Sequence, residues 1–267
     1  MTKDNRVHTE GAEIVYDVVG QGPLLLLIAG GNGDGRRYAR LAGLLASDYT
    51  VVSYDRRAEG RSTGDTTVDL DMAQQARDAL AVIRAMGAAD AYVFGNSAGG
   101  NIGIKLAEDE PQAIKALIVH EPPVMSILPE AEKELRIVDD VHATFLAQGT
   151  PAAMRKFFQS LVGFDAPTGP PGVQGRDSFD HFLAHSYVQI SRFKPDLDKI
   201  RRHGVRVVTA AGRRSADAYY ARTARVMAER LGCRYVDMSG NHLAFVTEPA
   251  VFAAELREIL RGLSAAI

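Results

Sequence analysis

Ser97 is the residue best placed to do chemistry, because it stands at the centre of Gly95-Asn96-Ser97-Ala98-Gly99. An apolar, aromatic-rich run, Ala91-Tyr92-Val93-Phe94, leads into that pentapeptide, and an amphipathic segment from Asn101 to Glu108 leaves it. Strand, sharp turn and helix in that order form a nucleophile elbow. Such a turn lifts a serine hydroxyl clear of a sheet edge and sets helix N–H groups and a positive dipole end beside it. Glycines at 95 and 99 leave room where a Cβ would collide with strand or helix. The competing reading is a glycine-rich turn that carries a solvated serine.

A serine hydroxyl attacks a carbonyl only when a base takes its proton and a third group orients that base. Of the seven histidines, His242 is the expected base. It lies in Gly240-Asn241-His242-Leu243-Ala244-Phe245, after a strand-like run and before the last helical pattern. Two carboxylates compete to orient it. Glu121 directly follows Ala116-Leu117-Ile118-Val119-His120 and is stiffened by Pro122-Pro123. Asp217 follows the next strand, where it or Ser215 would equally serve as a helix cap. Both keep the chain order nucleophile, acid, histidine, and Glu121 is the favoured one.

Acyl transfer also needs donors aimed at the developing oxyanion. Ala29-Gly30-Gly31-Asn32-Gly33-Asp34-Gly35 follows the first buried strand, where such donors belong. The N–H of Gly31 or Asn32, with that of Ala98, is the expected pair, and Gly30 lets a substrate approach the backbone. A phosphate loop is the rival reading, but no Gly-Lys-Ser/Thr follows and the glycine spacing does not match the dinucleotide fingerprint.

The elements that must position these residues read as alternating strands and helices. Val7–Thr9 and Glu13–Val19 form a hairpin, and the unbroken Leu24–Ile28 reads as a central strand covered on both faces. Further strands are expected at Thr50–Tyr54, Ala91–Gly95, Ala116–His120, Val205–Ala210 and Arg234–Met238. Helices are expected at Tyr38–Ala46, Leu70–Met86, Asn101–Ala107, Asp217–Leu231 and Val251–Leu263. That alternation argues for an α/β fold with a mostly parallel sheet. It breaks after Pro122, where helical patterns at Glu130–Leu146, Pro151–Leu161 and Phe179–Ile190 flank a turn-rich gap at Asp165–Gly172. The expected division is a core of residues 1–121 and 200–267 with a helical lid at 122–199. A small structural second domain is the alternative. Within the lid, His181, His185 and Tyr187 are the expected substrate contacts.

Composition narrows the partners. A chain of 267 residues with 46% hydrophobic and 24% charged content can bury a full core. The net charge of −2 and the scattered arginine pairs argue against nucleic acid and anionic membranes. The longest apolar run, Leu24–Ala29, is too short to span a bilayer, and the polar start lacks the apolar core of a signal peptide. The single cysteine, Cys233, allows no intrachain disulfide and reads as a buried strand residue. A small-molecule substrate, no cofactor or metal, and a cytoplasmic setting are the expectations; a homodimer stays open.

Together these pieces resemble the α/β-hydrolase superfamily. The likeness rests on the hairpin, the loop at Gly30-Gly31-Asn32, the elbow, the late His242 and Ser53–Ser62. That last stretch is similar to the family's Asp-x-Arg-Gly-x-Gly-x-Ser, with Ala58 in place of a usual glycine. The resemblance implies an eight-stranded sheet and a lid inserted after the sixth strand. Gly212 is followed by Arg213-Arg214-Ser215, which lacks the acid common after the seventh strand. Val119-His120-Glu121-Pro122-Pro123 instead resembles members with a glutamate after the sixth strand, zearalenone lactonases among them. Haloalkane dehalogenases share that glutamate but use an aspartate nucleophile, which Ser97 is not. The expected reaction is cleavage of a carboxylic ester or lactone through an acyl-enzyme, and the mixed lid residues His181, Phe182, His185, Tyr187 and Phe193 point to a medium-sized, partly apolar substrate. Carbon–carbon hydrolases, cofactor-free peroxidases, tailoring cyclases and slow-hydrolysing receptors share the fold and are the alternatives.

Overall fold

The computed structural model describes residues 5–164 and 176–264. The expected gap at Asp165–Gly172 lies outside the described residues. Eight strands form one sheet in the order β1-β2-β4-β3-β5-β6-β7-β8. They are β1 (Asn5–Thr9), β2 (Ala12–Val19), β3 (Leu24–Ile28), β4 (Thr50–Tyr54), β5 (Ala91–Asn96), β6 (Ile114–His120), β7 (Val207–Gly212) and β8 (Arg234–Met238). β1 pairs with β2 and β2 with β4 antiparallel; every later pairing is parallel.

The period-two geometry of a strand explains the run of apolar residues in β3. Leu26 and Ile28 join one core cluster with Val52, Tyr54, Val93 and Leu117. Leu25 and Leu27 point the other way, joining Val51, Tyr92, Phe94 and Ile118. Helix α1 (Ala39–Leu45) covers this second face with the C-terminal helix, Pro249–Ser264. Helices α2 (Met72–Ala85) and α3 (Ala98–Asp109) pack together on the first face. In α2, Met72, Ala76, Ala79, Val82 and Ile83 make the buried stripe, and the Asp71 carboxylate caps the start by accepting from the Ala73 N–H at 2.9 Å.

Between β6 and β7 the chain leaves the sheet. It forms α4 (Ala131–Gln148), α5 (Thr150–Gln159), α6 (Arg176–His181), α7 (Tyr187–Ser191) and α8 (Leu197–Arg202). A π-helical turn at Phe182–Ser186 joins α6 to α7. Buried Leu135, Val138, Met154, Phe182, Leu183 and Ile190 merge with the first face's core. The expected boundary at 199/200 falls inside α8. Helix α9 (Tyr219–Leu231) follows β7 and ends at Gly232, whose φ of 66° is the left-handed stop that glycine adopts without penalty. After β8 come the short α10 (Ala244–Thr247) and α11 (Pro249–Ser264).

Candidate active site

Ser97 sits between β5 and α3 with φ 55° and ψ −127°, a conformation that L-residues rarely adopt. Its N–H donates to the His120 carbonyl at 2.9 Å and its carbonyl accepts from the Gly100 N–H at 2.8 Å, so both neighbours hold the turn. The packing leaves no room for a side chain beside it. A Cβ on Gly99 would stand 1.9 Å from the Ile28 carbonyl oxygen, and one on Gly30 would stand 2.8 Å from Ser97 Cβ. The glycine loop is thus pressed against the elbow. Ala98 opens α3, and its N–H, at the first helical position, has no intrahelical acceptor.

Glu121 reaches the site from the end of β6. Its own φ is 49°, and its N–H donates to the Ala210 carbonyl of β7 at 3.0 Å. The carboxylate is fully buried and both oxygens are used. Oε1 accepts from the Gly212 N–H at 2.7 Å, and Oε2 lies 2.7 Å from His242 Nδ1. Burial opposes its charge, but His120 and His242 beside it and the hydrogen bond from His242 outweigh that, holding the carboxyl below the usual glutamate range. His242 therefore presents its Nε2 side away from Glu121, and its ring rests on Tyr220 with centroids 4.6 Å apart. Asn241 holds the histidine loop, its Oδ1 accepting from the Leu243 N–H at 3.0 Å and its Nδ2 donating to the Gly163 carbonyl at 2.8 Å.

Asp217, the competing carboxylate, lies elsewhere. Its side chain is 86% exposed beside Arg225. The short turn at Arg213–Ser215 carries the chain past the sheet edge before Asp217 is reached, which puts it at the start of α9 rather than over β7.

A cavity joins these parts. Gly30, Gly31, Ser97 and His242 line one side, and Phe157, Phe158, Leu161, Phe179 and Phe182 from the insertion line the other. Asn32 and Ala98, next in the chain to Gly31 and Ser97, are buried. The expected lid contacts need correction. His181 Nδ1 lies 3.0 Å from Glu59 and His185 Nδ1 lies 3.1 Å from Asp69, so both histidines face the loop after β4. Tyr187 is buried against Phe157 and Phe182, behind the lining rather than in it. The aromatic rings that do line the cavity sit on helix faces whose direction only the packed structure reveals.

Two supports carried weaker sequence signals. Asn96 donates from Nδ2 to His120 Nδ1 at 2.9 Å and to the His242 carbonyl at 3.2 Å, tying the elbow to the histidine loop. His120 is fully buried, and that burial pushes its pKa down to about 4, so it stays neutral. Behind the glycine loop, buried Asp55 accepts from the N–H groups of Gly35 and Arg61, and Arg56 donates to the Gly31 carbonyl. Ala58, which stands where the superfamily stretch has glycine, has φ 59°, the conformation that favours glycine.

Cys233 is half-buried immediately before β8, and burial pushes its thiol up to about 11, away from a reactive thiolate. Among the described residues no group of three or more His, Cys, Asp or Glu side chains could hold a metal ion, and no helix is long and apolar enough to cross a membrane.

Comparison with known proteins agrees with this architecture. The family model of the α/β-hydrolase fold matches residues 23–169. An uncharacterised hydrolase of Bacillus subtilis, YraK, is 26% identical over 97% of both chains. A putative carbamate hydrolase of Caulobacter vibrioides, RutD, is 38% identical over 36% of each chain. Among solved structures, a thermophilic esterase from Thermogutta terrifontis has a TM-score of 0.75 at 19% identity, covering 97% of this chain and 99% of its own. By the family match and the shared sheet, the chain belongs to the α/β-hydrolase fold family.

Proposed function

We propose that the protein is a serine hydrolase that cleaves a carboxylic ester or lactone of a medium-sized, partly apolar small molecule. The observation that carries this reading is the meeting of three elements at one cavity: the strained Ser97, His242 on the same wall, and the buried Glu121 carboxylate 2.7 Å from His242 Nδ1. His242 Nε2 takes the Ser97 proton as Oγ attacks the substrate carbonyl. Glu121 fixes the tautomer with the proton on Nδ1 and stabilises the imidazolium that forms. The backbone N–H groups of Gly31 or Asn32 and of Ala98 receive the oxyanion. Collapse of the tetrahedral species expels the alcohol, which takes the proton from His242 and leaves an acyl-enzyme. Water, deprotonated by the same histidine, then releases the acid.

The insertion at 122–199 acts as a lid in this reading, because it supplies the aromatic wall that an acyl or alcohol group would contact. The test is intact-mass labelling with a neutral fluorophosphonate. Rapid single labelling that is lost in Ser97→Ala and strongly slowed in Glu121→Gln supports the reading. A folded wild type that takes no label overturns it.

A further inference from the structure

Among the described residues, one cation in the cavity has no hydrogen-bonded or ion-paired counterpart. Arg37 follows the glycine loop in a short turn, Gly35–Tyr38, and its side chain joins the cavity lining beside Gly31 and Phe245. Its Nη1 lies 3.6 Å from where a Cβ on Gly31 would sit, and the guanidinium carbon lies 5.9 Å from the Phe245 ring centre. The guanidinium therefore stands one residue along the loop from Gly30, which abuts Ser97.

The nearby carboxylates are engaged elsewhere. Asp34 forks with its neighbour Arg36 at 2.8 and 2.7 Å. Asp55 accepts from Arg61 and the Gly35 N–H, and Glu121 from His242 and Gly212. Among the described residues no side chain or carbonyl is hydrogen-bonded to the Arg37 guanidinium, and the cavity lining contains no Asp or Glu. Burial works against its charge more than Tyr38 and Asp34 offset it. A half-buried cation among phenylalanines is costly until an anion meets it. A planar guanidinium with several free donors matches a carboxylate in two parallel hydrogen bonds, which a surface-hydrated lysine would not.

Resting on the serine-hydrolase reading, we propose that Arg37 is a specificity-determining residue that binds a carboxylate of the substrate separate from the scissile ester. The substrate class is then an ester that also carries a free acid, such as the half-ester of a dicarboxylic acid.

The test compares matched esters. On the acyl side the pair is p-nitrophenyl hemiglutarate and p-nitrophenyl valerate; on the leaving-group side it is p-acetoxybenzoate and p-tolyl acetate. Wild type is expected to favour the acid-bearing member of one pair by roughly tenfold or more in kcat/KM, after correction for intrinsic reactivity. That pair also tells which half carries the acid. Arg37→Leu should remove the advantage while leaving the neutral ester within about threefold, and Arg37→Lys should restore part of it. Equal losses on both members of each pair would assign Arg37 to the oxyanion or to packing and overturn the proposal, as would no charge preference in wild type. Calorimetry of glutarate with Ser97→Ala reads the anion site without turnover; its affinity should fall about tenfold on adding Arg37→Leu, and no change overturns the proposal. Fluorophosphonate labelling separates the two ideas: labelling without charge preference sinks only this one, and failure to label sinks the serine reading.

Discussion

The cavity around Ser97 has a floor of glycines and strand ends and a roof of phenylalanines, and the two are held by different forces. On the floor, backbone contacts leave almost no slack. Gly99 meets the Ile28 carbonyl, Gly30 meets Ser97, and Glu121 spends both carboxylate oxygens on Gly212 and His242. On the roof, Phe157, Phe158, Phe179 and Phe182 meet edge-on or tilted at 5.5–6.4 Å between ring centres. Such contacts are apolar and only weakly directional. The comparison teaches that the floor tolerates no change of geometry, whereas the roof tolerates changes of shape. A chemical step demands the first property, and substrate range follows from the second.

The sharpest way to break this contrast is at Ser97. Replacing it by alanine should cut ester turnover by about 10⁴ or more while leaving the fold intact, because a methyl group fits wherever Ser97 Cβ already sits. The check is steady-state hydrolysis alongside circular dichroism. An unchanged rate would move the chemistry away from the elbow and empty the floor of its meaning.

Glu121→Gln comes next, at about 10³–10⁴ in kcat, since an amide cannot hold His242 in the required tautomer or stabilise its cation. Asp217→Asn, at a side chain 86% exposed, should leave kcat within about twofold. If the two variants behaved alike, the 2.7 Å contact between Glu121 and His242 would be structural only.

The floor was also the more legible half in the sequence. Gly-x-Ser-x-Gly, the glycine loop and a glutamate directly after a strand are local signals, because each is a short run whose residue types mark a turn or a strand end. The unbroken Leu24–Ile28 likewise marks a strand buried on both sides. Boundaries were less legible. Helix α3 starts at Ala98 instead of Asn101, since Gly99 and Gly100 disguise a helical turn that sheet contacts enforce. Strand β7 runs over Val207–Gly212, two residues later than its hydropathy indicates, because partners set register. The roof was misread for the same reason. His181, His185 and Tyr187 look chemical by type, but helix orientation turns the histidines to Glu59 and Asp69 and gives the cavity to the phenylalanines. Arg37 carries no motif at all; only its lack of a hydrogen-bonded or ion-paired partner among the described residues distinguishes it.

His120 sharpens the comparison through pH. Its pKa falls from 6.5 to about 4 on burial, so the unfolded chain takes up a proton that the folded chain refuses across that window. Stability should fall by about 3 kcal/mol as pH drops through it, and level off below. Glu121, whose carboxyl is held low, adds a loss in the same direction at the acid end. Urea midpoints at neutral pH and near pH ~4.5 measure the slope. His120→Leu should be less stable at neutral pH, with Asn96 left short of a partner, yet show a shallower acid slope. An equal slope in both proteins would mean that the floor's acid sensitivity comes from elsewhere.

The smallest effect belongs to the roof. Phe158→Ala removes one ring from the lining and leaves Phe157, Phe179 and Phe182 to close partly over the gap. Since the lost contacts concern the bound group and not the charge that develops at the carbonyl, KM should rise about tenfold for bulky esters with kcat nearly unchanged. Acetate esters, with the shortest acyl group, should respond far less. Measuring both parameters across a series of acyl lengths tests this, and the rate of fluorophosphonate labelling should stay near wild type. A fall in kcat at every chain length would mean that the roof also positions Ser97 or His242, and the division between a rigid floor and an adaptable roof would be lost.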